Sequence, residues 1–252
     1  MDAMEQRRNN IVSFVNERST ITFSELKEAF PQVSDMTLRT DLKALDAEKK
    51  IIRIHGGAKA VTAVLGNDDQ LVLREVRNVS EKEALVEKAV RLVRPNTTIF
   101  LDSGSTTTML ARLLPDQPMM VFTCSLTVAM ELNRLEQAEV FVVGGTLNRN
   151  SRSMYGQTTL ELLNRVRFDT AFLGVTGYDE KGFNCGHAEE NALKRFMVNH
   201  ADERVLLMDS SKVGKSSTFT FCTPAEVDVL VSDGSLPASF LAMCDEKGVK
   251  VL

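Results

Sequence analysis

The residues best suited to chemistry form a small polar stretch, Asp102-Ser103-Gly104-Ser105-Thr106-Thr107, between the apolar run Ile99-Phe100-Leu101 and the apolar stretch Met109–Leu114. A loop of this kind between a strand and a helix exposes amides and hydroxyls at the positive end of the helix, a cradle for phosphate. Two further loops are built alike, Thr123-Cys124-Ser125 after Val121-Phe122 and Gly144-Gly145-Thr146 after Phe141–Val143. Gly174 and Gly177 close a fourth apolar run. In a parallel sheet such loops gather on the carboxyl edge of the strands, where ligands bind. A plainer role is also open to Asp102 and Thr123, as caps of their turns. Lys212-Val213-Gly214-Lys215-Ser216 looks like the tail of a nucleotide loop, but the first glycine of G-x-x-x-x-G-K-S would fall at Asp209, so the pattern fails.

A second constellation is electrostatic. The chain of 252 residues carries a net charge of −4, yet Arg39 to Lys59 holds six basic residues (Arg39, Lys43, Lys49, Lys50, Arg53, Lys59) against three acids, plus His55. A short basic element on an acidic protein suits nucleic acid. The four cysteines, Cys124, Cys185, Cys222 and Cys244, form no C-x-x-C pair, and the three histidines are scattered. Reduced, mostly buried thiols are expected, with no metal and no cofactor. Apolar residues make up 43% and charged residues 25%, as in ordinary globular proteins. No stretch nears the ~18 apolar residues of a membrane helix, and the polar start is unlike a signal peptide, so a cytoplasmic location is expected.

The elements that must position these residues follow from pattern and caps. Ile11, Val12, Phe14 and Val15 sit at helical spacing. Thr22-Phe23-Ser24-Glu25 is a capping box that opens a second helix at Phe23, and Pro31 stops it. Ser34 caps a third, in which Met36, Leu38, Leu42 and Leu45 are expected to pack. Ile51–Ile54 reads as a strand, Gly56-Gly57 as its turn and Ala58 to Val61 as the return strand. Three helices and a hairpin in this order make a winged helix-turn-helix over 1–61. Residues 62–79 read as a linker. A second capping box, Ser80-Glu81-Lys82-Glu83, opens a helix to about Val93 in a domain over 80–252. There, candidate strands at Thr98–Leu101, Met119–Phe122, Val140–Val143, Thr170–Leu173, Arg204–Met208 and Val227–Val231 alternate with helices, which predicts an α/β fold with a mainly parallel sheet covered on both faces.

A recognition helix presents polar groups to base edges and phosphates while its other face packs inward. Ser34, Asp35, Thr37, Arg39, Thr40 and Lys43 supply that polar face, with Arg53 and His55 at the wing. Arg39 is the best single candidate, because its planar fork serves a base or a phosphate; His55 also fits as a hairpin residue satisfying local backbone. The run Ser34-x-x-Thr37-Leu38-Arg39-Thr40-Asp41-Leu42, followed by Ile51-Ile52-Arg53-Ile54-His55-Gly56-Gly57-Ala58, resembles the DNA-binding segment of the DeoR family of bacterial sugar-operon repressors. Two departures stand out: Thr40 replaces a second arginine usual in the family, and Lys49 a glycine near the helix end.

The second half also resembles that family, whose sensor domain is similar in fold to ribose-5-phosphate isomerase. The matching pieces are Asp102-x-Gly104-Ser105-Thr106-Thr107, Thr123-x-Ser125, Gly144-Gly145, His187 to Lys194, and Asp209-Ser210-Ser211-Lys212. The resemblance implies a phosphorylated sugar effector on the first loops, with Lys212 or Lys194 lending positive charge and Glu189 or Glu190 reading hydroxyls. Cys124 stands where the family often has asparagine. A repressor of a carbohydrate-utilisation operon is therefore expected, not an enzyme, acting as a homodimer or homotetramer on double-stranded operator DNA, since dimers match the two-fold symmetry of operators. Two alternatives are an isomerase-like enzyme using Asp102, Glu189 or His187 as acid or base, and a constitutive DNA-binding regulator whose pocket has decayed.

Overall fold

Ile11 and Val15, one helical turn apart, are fully buried on the first helix, α1 (Ala3–Arg18), and set the core of the N-terminal part. The computed structural model describes residues 3–18, 20–48, 50–54, 56–60 and 71–252, and the chain divides into two units, Met1–Arg77 and Asn78–Leu252. In the first unit, β1 (Thr20–Thr22) leads into α2 (Phe23–Ala29) through the expected capping box: the Glu25 amide donates to Thr22 Oγ1 (3.2 Å) and the Thr22 amide to Glu25 Oε2 (2.7 Å). Ser34 caps α3 (Asp35–Ala47) by accepting from the Thr37 amide (3.2 Å). Leu38, Leu42 and Leu45 face inward against Ile11, Val15, Leu26 and Ile51.

The hairpin forms from β2 (Ile51–Ile54) and β3 (Gly57–Ala60), turning at Gly56 with φ +77°. β1 adds a third strand that the sequence reading did not contain, pairing Thr20 with Lys59 and Thr22 with Gly57. Here glycine is required at 57, since a Cβ would lie 2.0 Å from the Ile21 carbonyl oxygen. The 62–79 stretch, expected to be a linker, contains a short helix, α4 (Leu71–Glu75). Asp41 is buried on α3 and ties it to α1, accepting from Arg7 Nε (2.6 Å) and Arg8 Nε (2.9 Å).

The second unit opens with α5 (Val79–Ala89) and β4 (Thr98–Leu101). There follow α6 (Ser105–Leu113), β5 (Met119–Thr123), α7 (Leu126–Leu132) and β6 (Ala138–Val142). A hairpin of β7 (Thr146–Asn148) and β8 (Ser153–Tyr155) leads to α8 (Gln157–Leu163) and β9 (Phe168–Gly174). The remainder is β10 (Gly177–Asp179), β11 (Gly182–Cys185), α9 (Ala188–His200), β12 (Ala201–Leu207), β13 (Phe219–Cys222), β14 (Val229–Val231), α10 (Ala238–Glu246) and β15 (Lys250–Val251).

The main sheet runs β15-β14-β12-β9-β4-β5-β6 with every pairing parallel. Alternation along each strand splits the core into two layers. Ile99 and Leu101 pack with Leu85, Leu110 and Val128 of α5, α6 and α7, while Phe100 packs with Leu163, Leu193 and Phe240 of α8, α9 and α10. Chain order reverses at β4: β5 and β6 lie on one side, β9, β12 and β14 on the other. The carboxyl ends of β4 and β9 are therefore the topological switch point, where doubly wound sheets take their ligands.

One expected cap is absent. Ser80 does not open α5; its Oγ donates to Glu81 Oε2 (3.0 Å), and the N-cap is Asn78 at φ +50°. Asn78 Nδ2 donates to Asp209 Oδ1 (3.0 Å) and Ser211 Oγ (2.8 Å), so bonds from distant sequence fix the helix start and override the local box.

Candidate functional site

On α3 the buried positions 38, 41, 42 and 45 leave the opposite side outward, since successive helical residues turn by about 100°. That outward side carries Met36, Arg39, Thr40 and Lys43 at i, i+3, i+4 and i+7, all exposed. Met36 therefore does not pack as expected: it is 81% exposed, because it lies across the helix from Leu38 and Leu45. Asp35 is paired with Lys27 (2.9 Å), and Ser34 Oγ and Thr37 Oγ1 share a hydrogen bond (2.8 Å), so these three serve the helix start. The Thr40 hydroxyl donates to the Met36 carbonyl (2.9 Å). The Arg39 guanidinium stacks 4.2 Å over the Phe23 ring, which holds its fork in place while leaving it exposed. On the wing, Arg53 is exposed and its amide donates to Asp46 Oδ1 (2.9 Å), leaving the guanidinium for a partner. His55 and Lys49 lie outside the described residues.

The three small-residue loops of the second unit do meet on the carboxyl edge. The first carries α6, whose N-cap, Gly104, sits at φ +130°, favours glycine there, and offers no side-chain cap. Its helix start is accordingly uncapped, a place for an anion. Thr107 and Thr108 hydroxyls both donate to the Gly104 carbonyl (3.0 and 2.7 Å) and hold the turn. In contrast, the second loop is internally satisfied. The Ser125 amide donates to Thr123 Oγ1 (3.1 Å), and Ser125 Oγ accepts from the Val128 amide (3.4 Å) to cap α7. The third loop is tied down by Thr159 Oγ1 donating to the Gly144 carbonyl (2.7 Å); a Cβ at Gly145 would lie 2.6 Å from the Tyr155 carbonyl oxygen. Tyr155, which sequence reasoning did not select, joins the third loop to the first through a hydrogen bond between its hydroxyl and Ser103 Oγ (3.1 Å).

Beneath the first loop lies a buried charged cluster. Lys194 Nζ donates to Asp102 Oδ2 and to the Gly174 carbonyl (2.7 Å), and pairs with Glu190 Oε1 (3.3 Å) one turn before it on α9. Asp102 Oδ2 also accepts from the Gly174 amide (3.0 Å), which bridges the ends of β4 and β9. Asp102 Oδ1 is buried with no hydrogen-bond partner among the described residues. Burial raises the Asp102 carboxyl above its ordinary value, and the facing ammonium offsets only part of this. Burial works to lower Lys194, but the Asp102 and Glu190 carboxylates outweigh it and push the ammonium up, so it stays protonated. Burial, with Glu190 and Asp102 nearby, pushes the Tyr155 hydroxyl up to about 12.

The geometry separates pairs that the sequence left open. Glu190 is buried in the cluster, while its neighbour Glu189 is exposed. Lys194 is fully buried against two carboxylates, and Lys212 is half-buried in the turn Ser210–Lys212 that follows β12 on the same edge. Cys124 is 1% exposed within the apolar core. No group of three or more His, Cys, Asp or Glu among the described residues is arranged to hold a metal, and no helix among them is long and apolar enough to cross a membrane.

Comparison with known proteins matches two regions of the chain. Residues 7–64 match the DeoR-like helix-turn-helix domain and residues 77–234 the DeoR C-terminal sensor domain. The chain is 34% identical to the HTH-type transcriptional regulator GlpR of Haloferax volcanii over 98% of this chain and 96% of that one. It is 30% identical to the HTH-type transcriptional repressor GlcR of Bacillus subtilis over 98% and 95%. A lactose phosphotransferase system repressor of Staphylococcus epidermidis is 29% identical over 91% and 92%. Among solved structures, ribose 5-phosphate isomerase A of Methanocaldococcus jannaschii aligns with a TM-score of 0.41 and 20% identity over 54% of this chain and 55% of that one. With a DNA-binding head and a sensor each matched in its own half, the chain belongs to the DeoR family of transcriptional regulators.

Proposed function

We propose that this protein represses a carbohydrate operon and is controlled by a phosphorylated sugar held at the carboxyl ends of β4 and β9. The observation that carries the reading is the uncapped start of α6 directly above the buried Asp102–Lys194–Glu190 cluster. The Ser105 and Thr106 end of α6 takes the phosphate, since α7 is already capped by its own serine. Asp102 Oδ1, an acceptor without a partner among the described residues, and Glu190 take sugar hydroxyls, which can donate to both. Lys194 holds these carboxylates in place, and the helix start supplies positive charge for the phosphate, with Lys212 on the same sheet edge. Relatives named as a repressor and as a lactose phosphotransferase system repressor support a carbohydrate operon as the target.

The Arg39, Thr40 and Lys43 face of α3, with Arg53 on the wing, meets operator DNA, and a homodimer or homotetramer matches its two-fold symmetry. The effector acts by binding two arrangements of the sensor with different affinity, a coupling of typically ~1–3 kcal/mol. The site binds without turnover. Against a decayed pocket stands the second loop, whose hydrogen bonds are intact although Cys124 replaces the usual asparagine.

Thermal unfolding of the full chain against paired sugars and sugar phosphates tests the reading. A ligand at a hundred times its dissociation constant stabilises the folded state by ~2.7 kcal/mol. One phosphosugar should raise the melting temperature, its free sugar should not, and Ser105→Asp, which places a carboxylate at the helix start, should abolish the effect. No response across a broad panel would contradict it.

A further inference from the structure

Met36 is 81% exposed at the second position of α3, on the same side as Arg39, Thr40 and Lys43. A flexible apolar side chain at the start of an otherwise polar, basic helix face suits a partner that is itself apolar yet lies between phosphates. In the major groove the only apolar group on a base edge is the thymine 5-methyl. The first turns of a recognition helix are the ones that approach base edges, and Met36 stands there, one turn before Arg39 and Thr40. Thr40 shares the assignment, since its hydroxyl donates to the Met36 carbonyl and its proton is therefore not offered to a base. What Thr40 retains for the groove is an acceptor oxygen and a methyl group. The pair thus suits a thymine-rich step in which Arg39, steadied on Phe23, supplies the neighbouring polar contact.

We propose that Met36, with Thr40 beside it, reads thymine methyl groups in the operator half-site. This rests on the assignment of α3 as the DNA-reading helix. Removing one methyl from a buried apolar contact weakens binding about fourfold.

The test uses the full-length chain. A half-site is first selected from random duplexes, and each thymine is then replaced singly by deoxyuridine, which differs only in lacking the methyl. In the unaltered chain, at least one deoxyuridine should weaken binding about fourfold. In Met36→Ala that penalty should shrink towards unity, and Met36→Leu should keep it. Met36 is exposed and alanine is an equally good helix former, so the variant's melting curve should match that of the parent. If no deoxyuridine changes affinity, or the same penalty persists in Met36→Ala, the assignment to Met36 is overturned while DNA reading by α3 stands. If no sequence is selected at all, the DNA reading itself fails and takes this one with it.

Discussion

Removing the ammonium from the sensor cluster is the sharpest perturbation that the structure offers. Lys194→Met keeps the apolar stem and leaves the Asp102 and Glu190 carboxylates, 0% and 7% exposed, with no counter-charge. Breaking a buried pair by removing one partner costs about 3–5 kcal/mol, a large part of the 5–15 kcal/mol that holds a domain together. At ~2–4 °C per kcal/mol for a domain of this size, the melting temperature should fall by roughly 6–20 °C. The chain has no tryptophan, and both tyrosines, Tyr155 and Tyr178, lie in the second unit, so tyrosine fluorescence follows that unit alone. Asp102→Asn in the same chain should restore a good part of the loss, because asparagine needs no ammonium and can still accept from the Gly174 amide. The pH dependence has a definite sign. Asp102 is raised in the folded state by burial, and losing Lys194 raises it further, so the variant should be least impaired near pH 4 and lose stability as pH rises through the raised value. A loss below about 1 kcal/mol between pH 6 and 8, or no recovery in the double variant, would refute this reasoning.

The DNA-binding unit depends on a different ion pair. Burial alone would raise the Asp41 carboxyl, but the Arg7 and Arg8 guanidinium groups outweigh it and hold it below the usual range. Its stabilisation is thus present above the unfolded value of ~3.9 and lost as pH falls through the lowered folded value. Asp41→Asn should remove about 1–3 kcal/mol, the arginines being partly solvated, and speed hydrogen exchange in α1 and α3 at pH 7. On DNA, Arg39→Ala should lower discrimination between sequences by ~1–3 kcal/mol, whereas Lys43→Ala should weaken all sequences alike and reduce the salt slope by about 1; gel-shift titrations at several salt concentrations separate the two. Burial pushes the thiols of Cys124 and Cys185 up to about 12 and that of Cys244 up to about 11, and raises Cys222 as well. Native protein at pH 8 should therefore resist thiol reagents, and denatured protein should label at all four cysteines.

Features decided within a few residues were legible in the sequence. The Thr22 and Ser34 caps, the hairpin and six of the seven main-sheet strands, all but β15, follow from local hydrogen-bonding options and from periodicity. Distant partners were less legible. Ser80 carries a proper capping box, yet Asn78 starts the helix because Asp209 and Ser211 hold its side chain. β1 is three residues long and exists only by pairing with β3, which no local pattern announces. Asp102, Glu190 and Lys194 were each named, and the i, i+4 spacing of the last two was visible. Their union with a carboxylate 92 positions away depends on β9 lying beside β4, a matter of topology. Tyr155 was missed for the same reason, although one of only two tyrosines, placed just before Gly156 in a loop-rich stretch, was a usable signal. Met36 was misplaced because an apolar residue on an amphipathic helix was assumed to face inward, although its angle from Leu38 and Leu45 argued otherwise.

On the proposed function, the carboxyl ends of β4 and β9 and the α3 face are two sites of one switch. The most direct measurement is a titration of operator affinity of the full-length chain against the phosphosugar found by thermal unfolding, together with the reverse titration of sugar affinity against operator. Thermodynamic linkage predicts that each ligand changes the other's dissociation constant by the same factor, about 5- to 150-fold, and that Ser105→Asp removes both changes while operator binding persists. Operator affinity that stays constant from zero to saturating phosphosugar would contradict the account.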